Sequence, residues 1–177
     1  MNLLKRILPI TAIVFAFALS LSATQANNWV KFVPPGGGFS VMMPAQPKEL
    51  ELTPIADFTS HGYGMNINGT IYICLFGDYA ASVHLNPDAE LVANRDNFLK
   101  GLSASLISTK KIELDGRAGL EFTGETAQAN LQSQVYLSGN RVYQIAVSTP
   151  KGADNSADAA HFIKSFAFAA DKEHAQP

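Results

Sequence analysis

Cysteine is almost missing from this chain. Cys74 is the only one, so no intramolecular disulfide can form. It lies far from the N-terminus, so no cysteine follows the apolar leader to carry a lipid. An excess of basic charge is also missing, which argues against a nucleic-acid partner and against a polybasic membrane patch. The nucleophile elbow Gly-x-Ser-x-Gly of a serine hydrolase is absent. The run Pro34-Pro-Gly-Gly-Gly38 has no Lys-Ser/Thr after it, so it is a turn and not a phosphate-binding loop. No two of the four histidines stand three or four residues apart, the spacing that sets two metal ligands on one helical face.

What is present begins with a leader. Met1–Arg6 is short and basic, Ile7–Leu21 is an apolar run of 15 residues, and Thr24 and Ala26 are small. This is the pattern of a secretory signal peptide over residues 1–26, cut after Ala26 to leave Asn27 as the mature N-terminus. The run is shorter than the roughly 20 residues that span a bilayer as a helix and it contains Pro9, so no stable membrane span is expected after cleavage. Lys5 and Arg6 leave with it. Thirteen basic residues become eleven against fifteen acidic, a net charge of −4 with histidine neutral. The expected location is periplasmic or secreted.

Residues 27–170 fit one domain, followed by a polar tail at 171–177. A chain of this size buries roughly 70% of its unfolded surface, so it folds without a staple. The pattern predicts strands over 27–33, 39–43, 48–53, 56–66 and 70–79. Asn68-Gly69 is the strongest hairpin signal. The strand Thr70–Tyr79 is apolar on both faces, so both faces of its sheet are covered. Asn86-Pro87-Asp88 opens a helix with a cap, a proline at the first helical position and an acid at the positive end of the dipole. Further strands are expected over 105–114, 117–123, 130–138 and 141–149, with turns at Asp115-Gly116 and Gly139-Asn140, and a second helix over 156–165. The fold class is α+β, an antiparallel β-sheet flanked by helices.

Few residues offer chemistry. His61 and His84 are the weak metal candidates, if Asp57, Asp78 or Asp88 joined them. Cys74 sits in the apolar run Ile71–Phe76 and reads as a buried, inert thiol. A Cys74–His84 nucleophile pair would need an exposed thiol and an oxyanion scaffold. Glu113, Asp115, Glu121 and Glu125 gather near one hairpin, where charge guards a sheet edge. Asn68-Gly69-Thr70 matches an N-glycosylation pattern by coincidence. Arg117 and Arg141 each open a strand after a turn, where either can meet an anionic partner. Tyr63, Tyr72, Tyr136 and Tyr143 could line a pocket between the sheet and its helices.

Three phrases occur in order: Phe39-Ser-Val-Met-Met-Pro-Ala-Gln-Pro47, Leu114-Asp-Gly-Arg-Ala-Gly-Leu-Glu-Phe122, and Gly139-Asn-Arg-Val-Tyr-Gln-Ile-Ala-Val147 followed by Phe162-Ile-Lys-Ser-Phe166. Together they resemble the PsbP-like superfamily of exported bacterial proteins, including its DcrB-like members of largely unknown function. The resemblance covers most of the mature chain and implies an α-β-α sandwich. It also implies a largely non-enzymatic role: accessory or assembly factors for membrane complexes, and envelope proteins. Photosystem members of the superfamily bind metal through residues that have no match here, so no site residue carries over.

The expected function is therefore that of an exported, non-catalytic envelope protein that binds or helps assemble a protein partner. A small-molecule or metal-binding module is the alternative, and a hydrolytic enzyme the more remote one. No catalytic residue, cofactor or disulfide is expected.

Overall fold

The computed structural model describes residues 29–169; the expected signal peptide, its cleavage after Ala26 and the tail at 171–177 fall outside these residues. Ten strands and two helices follow in chain order. Strands β1 (Val30–Phe32) and β2 (Phe39–Met43) pair antiparallel. They precede β3 (Lys48–Glu49), β4 (Phe58–Ile67) and β5 (Thr70–Tyr79). Helix α1 (Pro87–Gly101) leads to β6 (Ser105–Leu114), β7 (Arg117–Glu125), β8 (Ala129–Ser138) and β9 (Arg141–Pro150). Helix α2 (Ser156–Lys164) and β10 (Ala167–Phe168) are the last elements of the described residues.

Two-residue turns set the strand pairing. Asn68 and Gly69 take φ values of 50° and 85°, and Asp115 and Gly116 take 51° and 73°. Positive φ at both central positions marks the type I′ turn, whose twist matches that of the strands it joins. With Gly139-Asn140 as the third turn, β6 to β9 run as a meander. The sheet order is β3-β4-β5-β9-β8-β7-β6. The join between β5 and β9 is non-local and brings Cys74 opposite Ile145.

Strand β5 has the two-sided cover expected of it. Tyr72, Cys74 and Phe76 enter one core with Ile145, Val147, Phe162 and Ile163. On the other face, Leu120, Phe122 and Leu131 form a second core with Leu91, Phe98 and Leu99 of α1. Asn86 caps α1, its Oδ1 accepting from the Ala89 amide at 3.1 Å, as the Asn-Pro-Asp signal implies.

Several elements differ from expectation. The strand expected over 48–53 ends at Glu49; Leu50 N still donates to the Gly62 carbonyl at 2.8 Å, and Leu50 and Leu52 lie across Gly62 and Gly64 of β4. The first strand is three residues long. Strand β10 has no counterpart among the expected elements. It pairs with β2 to give a small sheet of order β1-β2-β10. The layer on the α2 face is therefore shared between this small sheet and one nine-residue helix, so the protein is α+β but more sheet-dominated than an antiparallel sheet between purely helical layers.

Candidate functional site

Two of the candidate residues, Arg117 and Arg141, stand with Asp78 at one end of the large sheet, on the α2 face. Register places Thr59, Asp78, Arg141 and Ser138 in one row across β4, β5, β9 and β8. Arg117 of β7 extends the row, its Nε donating to Ser138 Oγ at 3.3 Å. The next row inward is aromatic: His61, Phe76, Tyr143 and Tyr136.

Arg141 is the centre of the polar row. Its Nε donates to Asp78 Oδ1 and its Nη2 to Asp78 Oδ2, both at 2.6 Å. Its Nη1 donates to the Gly36 carbonyl at 2.8 Å. The two parallel bonds are the fork geometry that makes Arg–carboxylate pairs specific. The hydrogen bond to Asp78 holds the guanidinium pKa above its ordinary value. The guanidinium also lies 5.4 Å from the centre of the Phe76 ring, and the His61 ring stacks on that same Phe76 at 4.9 Å and 22°.

The glycine run completes this end. Gly37 N donates to Pro34 O at 2.9 Å, closing a turn, and Ala169 N donates to Gly38 O at 2.9 Å. Gly36 stands at φ 68°, a conformation open to glycine without steric cost, and its carbonyl meets Arg141. Phe168 lies against Tyr143 and Tyr136, with ring centres at 5.0 and 5.6 Å, and the Arg117 guanidinium sits 4.4 Å above it. The Pro34–Gly38 segment is thus a strap that joins the small sheet to the large one.

The two candidate histidines are kept apart. His61 shares a face with Phe76 on the α2 side. His84 lines a shallow hollow of about 400 Å³ with Val83, Leu85 and Leu137, residues of the core on the α1 side. Of the acids that could join them, Asp78 is engaged by Arg141 and Asp88 by Lys111 at 2.9 Å. Among the described residues no group of three or more His, Cys, Asp or Glu is placed to hold a metal ion.

Several of the other candidates are also engaged. Cys74 is fully buried in the α2-side core, on the other side of the sheet from His84, and burial pushes its thiol up to about 12, which disfavours the thiolate. Glu121 accepts from Lys110 Nζ at 2.8 Å and from Gln134 Nε2 at 2.7 Å, and the Lys110 bond lowers its carboxyl below the usual range. Glu125 pairs with Lys151 at 2.8 Å. Tyr72, Tyr136 and Tyr143 are buried in the α2-side core, with Tyr63 packed at its margin; they fill the space between the layers. Asn155 Nδ2 donates to Thr70 Oγ1 at 2.6 Å, tying up the hydroxyl of the Asn68-Gly69-Thr70 sequence.

Sequence reasoning singled out Arg141 and Arg117 but not their partners. Asp78 is the register neighbour of Arg141 only because β5 and β9 are adjacent. Phe168 carried a usable signal, the alternation Phe166-Ala167-Phe168 beyond the last helix.

No protein-family model matches the chain, and no curated protein matches it. Among solved structures, cyanobacterial PsbP (CyanoP) from Synechocystis sp. PCC 6803 superposes with a TM-score of 0.58 at 10% identity, over 85% of this chain and 98% of that one. The fold is PsbP-like. A protein of Bacteroides thetaiotaomicron VPI-5482 aligns at a TM-score of 0.38 and 17% identity, over 78% of this chain and 47% of that one, a likeness too low to argue from. At 10% identity the likeness to CyanoP extends to the fold alone. The arginine row is a feature of this chain's own residues.

Proposed function

We propose that the chain is an exported, non-catalytic protein of the cell envelope, periplasmic or secreted, that acts as a binding or assembly factor for a protein partner. One observation carries the reading. Three of the side chains with most chemical potential are committed to holding the fold: Arg141 to Asp78 and Gly36, His61 to Phe76, Cys74 to the core. A catalytic residue needs its reactive atom within reach of a substrate. The PsbP-like fold supports the same reading, through the accessory roles that the superfamily resemblance implies. We read the layers as an α-β-α sandwich in which the small sheet widens one helical layer, and the chain as a DcrB-like exported protein.

The test is site-specific photocrosslinking in intact cells from the exposed positions Val33 and Ile107, followed by mass spectrometry of the adducts. Reproducible attachment to one envelope protein is the expected result. Recovery of the uncrosslinked protein alone, from every fraction and both positions, would overturn the proposal. Fractionation of the same cells checks the location.

A further inference from the structure

The start of α2, the tip of the β4–β5 hairpin and the first residue after β2 enclose a small hollow of about 90 Å³. Local chemistry brings them together. The turn at Asn68-Gly69 leads into Thr70, and Asn155 reaches across to it, its Nδ2 donating to Thr70 Oγ1 at 2.6 Å. That bond takes Asn155 away from the role its position implies. Asn155 stands at the N-cap of α2, yet its side chain caps nothing. Its Oδ1 has no donor among the described residues.

Two further groups line the same hollow with nothing to bind. Asp158, in the first turn of α2, makes no hydrogen bond or ion pair with a described residue. Tyr72 is 3% exposed. Its ring is held edge-on by Trp29 and Phe162, with ring centres at 6.0 and 5.3 Å, and its hydroxyl bonds to no described residue. Among the described residues, the side-chain atoms sealed from solvent without a partner are Asn94 Oδ1 and Gln144 Oε1. The Tyr72 hydroxyl is not one of them, so it opens on the hollow that its residue lines. Burial first, and then the Asp158 carboxylate, push this hydroxyl up to about 12; the two groups are neighbours.

The hollow therefore offers a carboxylate, an amide oxygen and a phenol oxygen, and no lysine, arginine or histidine lines it. The full negative charge of Asp158 outweighs the ~0.5 positive charge of a helix start. Calcium takes roughly six to eight oxygen ligands, more than are gathered here. Three acceptors, one of them charged, match the three N–H donors of a primary ammonium. Pro44 and Ile67 complete the wall and give the carbon next to that nitrogen an apolar rest. The volume is well above the ~10–15 Å³ that one water needs.

We propose that this hollow binds a primary ammonium group, with Asp158 as its counter-ion and Asn155 Oδ1 and the Tyr72 hydroxyl as its neutral acceptors. A lysine side chain and a free alkylamine present the same head group. The inference does not rest on the protein-partner reading, and it holds or fails on the purified protein alone.

The test titrates the mature protein with n-butylammonium, Nα-acetyl-lysine methylamide and tetramethylammonium, as chlorides, and reads amide chemical shifts in two-dimensional NMR. Butylammonium should give saturable shifts centred on Ile67, Thr70, Tyr72 and Asp158. It should bind at least about tenfold more tightly than tetramethylammonium, which carries the charge without an N–H. Equal binding of the lysine derivative supports the site and admits a lysine side chain; binding of butylammonium alone supports the site and restricts it to free amines. Asp158→Asn keeps the shape and should weaken butylammonium at least about tenfold. Tyr72→Phe keeps the ring packing and should weaken it about threefold. Trp29 fluorescence checks the fold of each variant. Absence of saturable shifts with both amines overturns the proposal. So do shifts that map elsewhere, tetramethylammonium bound as tightly as butylammonium, or an affinity unchanged by Asp158→Asn. If Asp158→Asn does not fold, an affinity unchanged by Tyr72→Phe overturns it instead.

Discussion

Trp29 stands edge-on to His161, with ring centres 4.4 Å apart and planes at 82°. The same indole meets Tyr72 at 6.0 Å and 87°. The first described residue is thus fixed to both α2 and β5. Trp29 is the only tryptophan, so its fluorescence reports this contact directly. Trp29→Ala should lower stability by about 2 kcal/mol, below the ~3–5 kcal/mol typical of a fully buried tryptophan, since Trp29 is half-buried. Urea denaturation followed by circular dichroism checks the value. An unchanged midpoint would show that the stack is incidental.

The Arg141–Asp78 fork should not tolerate lysine. Both side chains are partly exposed, 30% and 45%, so the loss for Arg141→Lys is set at about 1 kcal/mol after allowing for solvent screening. Lys111→Ala breaks a pair that is 75% and 70% exposed and should leave the melting temperature unchanged. An Arg141→Lys protein as stable as the parent would mean that the Gly36 strap holds without its anchor.

Gly119 leaves no room for a side chain. A Cβ there would stand 2.6 Å from the Val135 carbonyl oxygen and 2.6 Å from Tyr136 Cδ1. The carbonyl belongs to the sheet and cannot yield, so Gly119→Ala should cost about 1–3 kcal/mol. Thermal melting decides, and a variant that melts with the parent rejects the close approach.

Alkaline stability should fall in two stages. Burial raises the Cys74 thiol from 9.0 to about 12 and raises the Tyr72 and Tyr136 hydroxyls from 10.0 to about 12. A raised native pKa means that the folded state holds its proton more tightly. Its contribution is complete below the unfolded pKa and is lost as pH climbs toward the folded one. The decline therefore starts near pH 9 with Cys74 and steepens above pH 10 with the tyrosines. Cys74→Ala should flatten the first stage only, in denaturation measured across the alkaline range. By the same burial, a thiol reagent should modify the protein only after unfolding.

On the acid side the sign reverses. The hydrogen bond from Lys110 lowers the Glu121 carboxyl, so this group contributes stability above its unfolded pKa and loses it as pH falls through the lowered native value. Glu121→Gln should make stability less dependent on pH below about 4.5. A profile parallel to the parent's would show that the Lys110 pair is screened out.

Local chemistry made much of this fold legible. The Asn68-Gly69 and Asp115-Gly116 turns and the Asn86-Pro87 helix start are written in adjacent residues, and the structure places them where the residues indicate. The apolar run Ile71–Phe76 announced two covered faces. Adjacency of β5 and β9 has no such local signature, and everything at the candidate site depends on that join: Asp78 against Arg141, Phe76 against Tyr143. The shortness of β3 is hidden because Leu50 and Leu52 pack on glycines of another strand.

Strand β2 lies beside β10, and Met42 N donates to Ser165 Oγ across 123 positions. The layer over the aromatic face is thus assembled from the first and last segments of the described chain. A chain emerging N-terminus first can complete the large sheet once β9 is out, yet Phe39, Phe76 and Tyr143 stay uncovered until α2 and β10 follow. The segment after β9 acts as a latch on a hydrophobic surface, and truncation there should yield a sticky, chaperone-dependent intermediate in place of a merely shortened protein.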